Sequence, residues 1–277
     1  MTANNQEAKD GVVSPAVETL ALSRSFAHVV AVDRLDLKVA PGMFFGLLGS
    51  NGAGKSTTIK ILTTLLPPTA GSARVAGFDV VREARQARRR IGYVPQMLSA
   101  DAGLTGSENL MMSATLYNVA RGERAGRTAD ALAFMGLVDV GSRLVKTYSG
   151  GMIRRLEIAQ ALLHRPAVLF LDEPTVGLDP TARHAVWNKL RELRSQFGTT
   201  VLLTTHDMDE ADALCDRIAI MHRGRIGVVG APSELKAAVG KGATLDDVFV
   251  HFTGSAVDQG GSYREIARTR RTAQRLG

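Results

Sequence analysis

The run Gly49-Ser50-Asn51-Gly52-Ala53-Gly54-Lys55-Ser56 fits the spacing G-x-x-x-x-G-K-[ST] at every fixed position. Each residue type has a reason to be there. Glycines let backbone N–H groups curl round a β-phosphate with no Cβ in the way. A helix opening at Lys55 adds the positive end of its dipole. The Lys55 ammonium is a point charge for β- and γ-oxygens, and the Ser56 hydroxyl is a ligand for Mg2+. Alone, this loop predicts a nucleoside triphosphate and no particular reaction. A second run, Val168-Leu169-Phe170-Leu171-Asp172-Glu173, ends an apolar stretch on two acids. Asp172 suits an aspartate that holds Mg2+ at a strand end. Glu173 suits the group that orients and partly deprotonates a water attacking the γ-phosphate, worth roughly 10²–10⁴ in rate. A third run, Tyr148-Ser149-Gly150-Gly151-Met152, opens a helical pattern. Its Ser-Gly-Gly offers a hydroxyl cap and unhindered N–H groups, hence a second anion site.

These groups need a sheet and helices to position them. Val17–Ser23 and Leu35–Val39 alternate apolar and polar residues as half-buried strands do, and Met43–Leu48 is a short apolar strand leading into the glycine loop. A helix is expected over Lys55–Leu66, stopped by Pro67 and Pro68. Ile91–Val94, Val168–Leu171 and Thr200–Thr204 read as strands. Residues 105–163 read as helical with breaks near Gly122 and Gly141, and Thr181–Phe197 and Met208–Leu214 as helices. Ile218–Met221 and Ile226–Val229 flank Arg223-Gly224, a hairpin signal. The alternation predicts an α/β fold with a mostly parallel sheet and a helical subdomain inserted between two of its strands.

Composition narrows the setting. The 277 residues are 45% hydrophobic and 22% charged, ordinary for a globular protein, and no apolar run approaches the ~20 residues of a membrane-spanning helix. Polar residues Glu7, Lys9 and Asp10 stand where a signal peptide carries its apolar stretch, so a cytosolic chain is expected. Cys215 is the single cysteine and reads as a small core residue. The net charge of +7 is concentrated at Arg82, Arg85, Arg88, Arg89 and Arg90, and at Arg264, Arg268, Arg270, Arg271 and Arg275. A solvated face is the plain reading of both, with anionic lipid as the next. No stacking aromatics accompany them, which argues against nucleic acid.

Taken in order over about residues 17–252, the motifs resemble the nucleotide-binding domain of ABC transporters. That family's signature reads Leu-Ser-Gly-Gly-Gln with Arg or Lys three residues later. Here Tyr148 and Met152 replace Leu and Gln, Ser149-Gly150-Gly151 is kept, and Arg155 fills the last place. The variant is similar to the drug-resistance exporter branch, as is Thr244-Leu245-Asp246-Asp247-Val248-Phe249 near the end. The resemblance implies ATP and Mg2+ as cofactors, with the nucleotide held by Gly49 through Ser56 and by Thr57. Phe26 would stack on adenine, and Gln96 would reach Mg2+ and the attacking water. His206 would be the switch histidine, supporting hydrolysis with Glu173 and Gln96. Mg2+ would be held by Ser56, Gln96 and Asp172. The head-to-tail dimer of the family, homodimer or heterodimer with a second cassette, would bring Ser149, Gly150, Gly151 and Asp179 to the nucleotide of the other subunit.

The fold implied is a P-loop NTPase core with an antiparallel β subdomain and an inserted helical subdomain. Its boundaries would be a flexible segment at 1–16, the nucleotide-binding domain at 17–240 and a C-terminal extension at 241–253. A basic, loose tail would follow at 254–277. The function implied is an ATPase at the cytoplasmic face of the membrane, driving a permease on a separate chain, in an exporter of drugs, lipids or other hydrophobic compounds. The alternative is a soluble ABC ATPase acting on nucleic acid or ribosomes. A DNA-acting type needs a long coiled coil between Gln96 and Ser149, and the ribosome-acting type usually has two cassettes per chain. A switch GTPase needs a guanine-reading Asn-Lys-x-Asp, which is missing.

Overall fold

The computed structural model describes residues 14–254; the expected N-terminal segment before Ser14 and the basic tail after Gly254 lie outside the described residues. Ten strands and nine α-helices are described. They run β1 (Val17–Phe26), β2 (Val29–Val39), β3 (Phe44–Leu48), α1 (Lys55–Leu62), β4 (Ala70–Val75), β5 (Phe78–Asp79), α2 (Ala84–Arg88) and β6 (Ile91–Val94). The insert follows as α3 (Gly106–Leu116), α4 (Arg124–Phe134) and α5 (Gly150–Leu162). Then come β7 (Val168–Asp172), α6 (Pro180–Phe197), β8 (Thr200–Thr205), α7 (Met208–Leu214), β9 (Arg217–His222), β10 (Arg225–Gly230), α8 (Pro232–Val239) and α9 (Leu245–Thr253).

Two sheets form. One is antiparallel, in the order β2-β1-β4-β5; the other has the order β10-β9-β3-β8-β7-β6 and is parallel except for its β9–β10 edge. Every residue of β3, β7 and β8 is buried, as expected of strands covered on both faces. Alternation then splits the core. Phe44, Leu48, Leu169, Leu171, Val201 and Leu203 face one cluster, shared with α5, α6 and α7. Phe45, Leu47, Val168, Phe170 and Leu202 face a second cluster with α1 and the antiparallel sheet. Cys215 is buried in the first cluster, which pushes its thiol well above the usual range.

The register lines up the strand ends. Leu48 pairs with Thr205, Asp172 with Thr204, and Val94 with Leu171. The loops after β3, β6, β7 and β8 therefore leave from one edge of the sheet, the carboxyl edge where open α/β sheets place ligands.

Several boundaries correct the sequence reading: β1 runs on to Phe26 rather than ending at Ser23, and β2 begins at Val29 rather than Leu35. Helix α1 ends at Leu62 rather than Leu66. Thr64 takes a left-handed φ of 64°, and the amides of Leu65 and Leu66 both donate to the Lys60 carbonyl, closing the helix before Pro67. The hairpin β4–β5 and helices α8 and α9 were not anticipated as elements. The segment read as a C-terminal extension is α9, capped by Thr244 and Asp247, with Leu245, Val248 and Phe249 in the first core cluster. Among the described residues no helix is long and apolar enough to cross a membrane.

Candidate nucleotide site

The loop after β3 is held in a conformation that only glycine fits at its two ends. A Cβ on Gly49 would lie 2.5 Å from the Met221 carbonyl oxygen. One on Gly54, whose φ is 107°, would lie 2.3 Å from the Ala31 oxygen. The middle is braced from outside, the Gly224 amide donating to Ala53 O and Asp33 N to Gly224 O, both at 2.9 Å. The result is a cradle of backbone in front of the α1 N-terminus, shaped for a phosphate chain.

Lys55 lies under the cradle, 5% exposed. Its Nζ donates to Gly49 O at 2.7 Å and Ser50 O at 3.2 Å, and sits 3.1 Å from Glu173 Oε1. Ser56 Oγ donates to Asp172 Oδ1 at 3.0 Å, the same oxygen that takes the Thr204 hydroxyl at 2.7 Å. Ser56 and Asp172 thus present hard oxygen donors side by side, which fits Mg2+. Among the described residues no three His, Cys, Asp or Glu side chains form a self-sufficient metal cluster. A magnesium ion here would share its coordination with the phosphates.

Glu173 follows β7 with φ at 51°, its amide held by both oxygens of Thr204 at 3.1 Å. His206, just past β8, brings its Nδ1 to 2.6 Å from Glu173 Oε2. Burial alone would raise the Glu173 pKa, but the His206 hydrogen bond and the Lys55 charge outweigh it and hold the carboxyl below its ordinary range. The same hydrogen bond raises the His206 pKa, against its partial burial. Asp207 pairs with Arg183 at 2.7 Å and caps α7.

A cleft of about 390 Å³ brings together Phe26, Ser50–Thr57, Gln96 and Glu173. Phe26 lies at its rim, 42% exposed, with the Arg24 guanidinium 4.6 Å from the ring centre. A larger apolar cavity between α4, α5 and α6 carries none of these groups, so volume does not mark the site.

The remaining predicted residues stand elsewhere. Ser149 caps α5, its Oγ accepting from Met152 N, and Asp179 caps α6, accepting from Ala182 N. These two helix starts are neighbours: a Cβ on Gly151 would meet Ala182 Cβ at 2.7 Å, and one on Gly150 would meet only Leu178, at 3.4 Å. The departures from the family pattern are structural. Tyr148 is buried with its hydroxyl donating to Val140 O at 2.6 Å, and Met152 packs on the core. Arg155 donates to Met135 O.

Three groups near the site escaped the sequence reading. Thr204 orders both acids, though as the polar end of an apolar strand it gave only a weak signal. Glu210, 1% exposed, accepts from Thr175 Oγ1 at 2.7 Å and Trp187 Nε1 at 3.0 Å, and burial pushes its pKa up. Arg154 and Glu157 form a buried pair within α5.

The first arginine cluster contributes Arg85, Arg88 and Arg89 to one cleft with Arg127 and His164. The second lies outside the described residues.

Residues 32–176 match the family model for ABC transporters. The chain is 50% identical over 225 residues to the daunorubicin/doxorubicin resistance ATP-binding protein DrrA of Streptomyces peucetius, covering 81% of this chain and 68% of that protein. It is 43% identical over 223 residues to the Nod factor export ATP-binding protein I of Paraburkholderia xenovorans, covering 80% and 73%. A solved ATP-binding subunit of an ABC transporter superposes with a TM-score of 0.76 at 30% identity, covering 86% of this chain and 99% of that one. A dimeric ATP-binding cassette in a post-hydrolysis state, bound to ADP and Pi, superposes at 0.70 with 25% identity, covering 78% and 98%.

Proposed function

The chain belongs to the ABC transporter family as an ATP-binding, ATP-hydrolysing subunit, and on that premise we propose how its residues divide the work. The observation that carries the proposal is the Lys55–Glu173–His206 triplet, set beside the Ser56–Asp172 pair at one sheet edge. The backbone from Gly49 to Gly54, with Lys55 and Thr57, binds the phosphates of ATP, and Phe26 stacks on the adenine. Ser56, Asp172 and Gln96 hold Mg2+, which when bound neutralises charge on the phosphate oxygens.

Glu173 is the group that orients the attacking water. A γ-phosphate arriving in the cradle competes with the carboxylate for Lys55, which loosens one of the two cations holding Glu173. His206 keeps hold of the other oxygen and fixes the direction in which the carboxylate accepts a proton. Ser149, Gly150, Gly151 and Asp179 act on the nucleotide of a second copy or a second cassette in a head-to-tail pair. A permease on a separate chain, docked beside Gln96 at the cytoplasmic face of the membrane, receives the motion. Both named relatives concern resistance or export, which supports an exporter of drugs, lipids or other hydrophobic compounds. The nucleic-acid alternative lacks its coiled coil: α3 and α4, between Gln96 and Ser149, are 11 residues each.

Steady-state ATPase and nucleotide-affinity measurements test the division. Lys55→Ala is expected to lose nucleotide binding. Glu173→Gln is expected to keep binding and lose roughly 10²-fold or more in turnover. Hydrolysis by Glu173→Gln at the parent rate removes Glu173 from its role.

A further inference from the structure

The helix that begins with Gly150-Gly151 is tied to the loop that carries Gln96. Arg154 and Glu157, one turn into α5, are 3.0 Å apart and each 2% exposed. The Arg154 guanidinium reaches across to the backbone after β6, Nη1 donating to Pro95 O and Nη2 to Gln96 O, both at 2.7 Å. Glu157 Oε1 takes the other end of the same loop, accepting from the Ser99 amide, from Ser99 Oγ at 3.1 Å and from Ala100 N at 3.3 Å. One ion pair therefore grips both ends of residues 96–100.

A buried ion pair is a poor source of stability, since well-packed apolar side chains do as well or better. What it supplies here is geometry. The flat guanidinium fork holds two successive carbonyls from two separate nitrogens while Nη1 also bonds Glu157, a fixed planar arrangement that the single nitrogen of a lysine does not reproduce. The two carbonyls and two amides all bond to this one pair, so displacing α5 breaks four part-buried backbone hydrogen bonds together. The loop and the helix start must move as one body.

We propose that Arg154 and Glu157 are positioning residues for ATP hydrolysis: a clasp that makes the placement of Gln96 conditional on the placement of α5. The inference rests on the role proposed for Gln96 above. It predicts that the pair acts on turnover through Gln96, and leaves the phosphate cradle and its affinity alone.

The test uses the full chain with Arg154→Lys, which keeps the charge beside Glu157 but loses the fork, and with Arg154→Met/Glu157→Met, which removes both charges. Each is made in the parent and in a Gln96→Ala background. Single-turnover hydrolysis at saturating MgATP, ATP affinity and thermal unfolding are measured. Expected are a fall in rate of about tenfold or more in the parent background, affinity within about threefold, and less than about a twofold further fall in the Gln96→Ala background. Equal falls in both backgrounds, or a parent rate for Arg154→Lys, overturn the clasp. If the double variant does not fold, Arg154→Lys carries the comparison; loss of cooperative unfolding in both makes the pair structural and also overturns it. Lys55→Ala and Glu173→Gln are the controls. If they hydrolyse ATP normally, the site reading itself has failed; if they behave as expected while the clasp effects are additive, the clasp alone has.

Discussion

The glycine-bearing starts of α1 and α5 are built in opposite ways. At α1 the loop is over-determined: Gly49 and Gly54 are hemmed in by the carbonyls of Met221 and Ala31, and Lys55 is buried beneath them. Glu173, Asp172 and His206 converge on it from two further strands. At α5 the same kind of start stands open. Ser149 and Gly150 are exposed, Ser149 Oγ serves only its own helix, and the nearest atom to a Cβ on Gly150 is a leucine methyl. The first region is a complete pocket made by one chain. The second has the donors of an anion site without the acids, lysine or base that would finish one. That difference supports the proposed division, in which the α1 start binds and reacts and the α5 start takes a phosphate brought by another subunit.

Substitutions at the glycines should break the symmetry first. Gly49→Val is expected to abolish nucleotide binding in an affinity measurement, and to destabilise the fold by about 1–3 kcal/mol through overpacking against Met221 O. Gly150→Ala should unfold within about 0.5 kcal/mol of the parent, because its Cβ meets only a movable leucine at ordinary contact distance. A Gly150→Ala variant as damaged as Gly49→Val would mean that the second start is also a closed pocket.

Tyr148→Leu, which restores the residue usual in the family, should cost about 1 kcal/mol in denaturant unfolding. It loses the hydroxyl bond to Val140 O that anchors the start of α5. ATP affinity should not follow.

The smallest effect concerns the segment joining the two regions. Glu210 holds Thr175 and Trp187, and so the stretch from Glu173 to Asp179. Burial raises its folded pKa above the unfolded value near 4.5. Its contribution to stability is therefore full below that value and is lost as pH rises through the folded one. Glu210→Gln, which does not titrate, should gain in melting temperature relative to the parent as pH rises from about 4.5, then level off. A difference independent of pH would show that Glu210 titrates alike in both states.

How much of this was legible in sequence follows the same division. The α1 loop was readable because its parts are contiguous and each residue type is demanded by local geometry. The strand order was not: β3 lies between β8 and β9, which follow it by more than 140 residues, and nothing in an apolar run names its neighbour. The end of α1 was overshot because Leu65 and Leu66 continue an apolar pattern past a left-handed threonine that sequence does not announce. Strand β4, Ala70-Gly71-Ser72-Ala73-Arg74-Val75, lacks the alternation that marks a strand and forms because β1 pairs with it. Arg154 and Glu157 are opposite charges three apart on a helix, a spacing that does not distinguish a buried pair from a solvated one. Only the fold shows them buried against the Gln96 loop.

The division between the two helix starts is tested most directly with Gly150→Asp. An acidic residue in the first turn of a helix does not harm folding, so the variant isolates the effect of a carboxylate placed against an incoming phosphate. The measurement is a pair: ATP affinity of the single subunit, and MgATP-dependent dimer mass in a Glu173→Gln background with and without Gly150→Asp. The account predicts affinity near the parent's and loss of the ATP-stabilised dimer. If Gly150→Asp removes ATP binding as completely as Lys55→Ala does, both starts serve one nucleotide within one chain, and the account is contradicted.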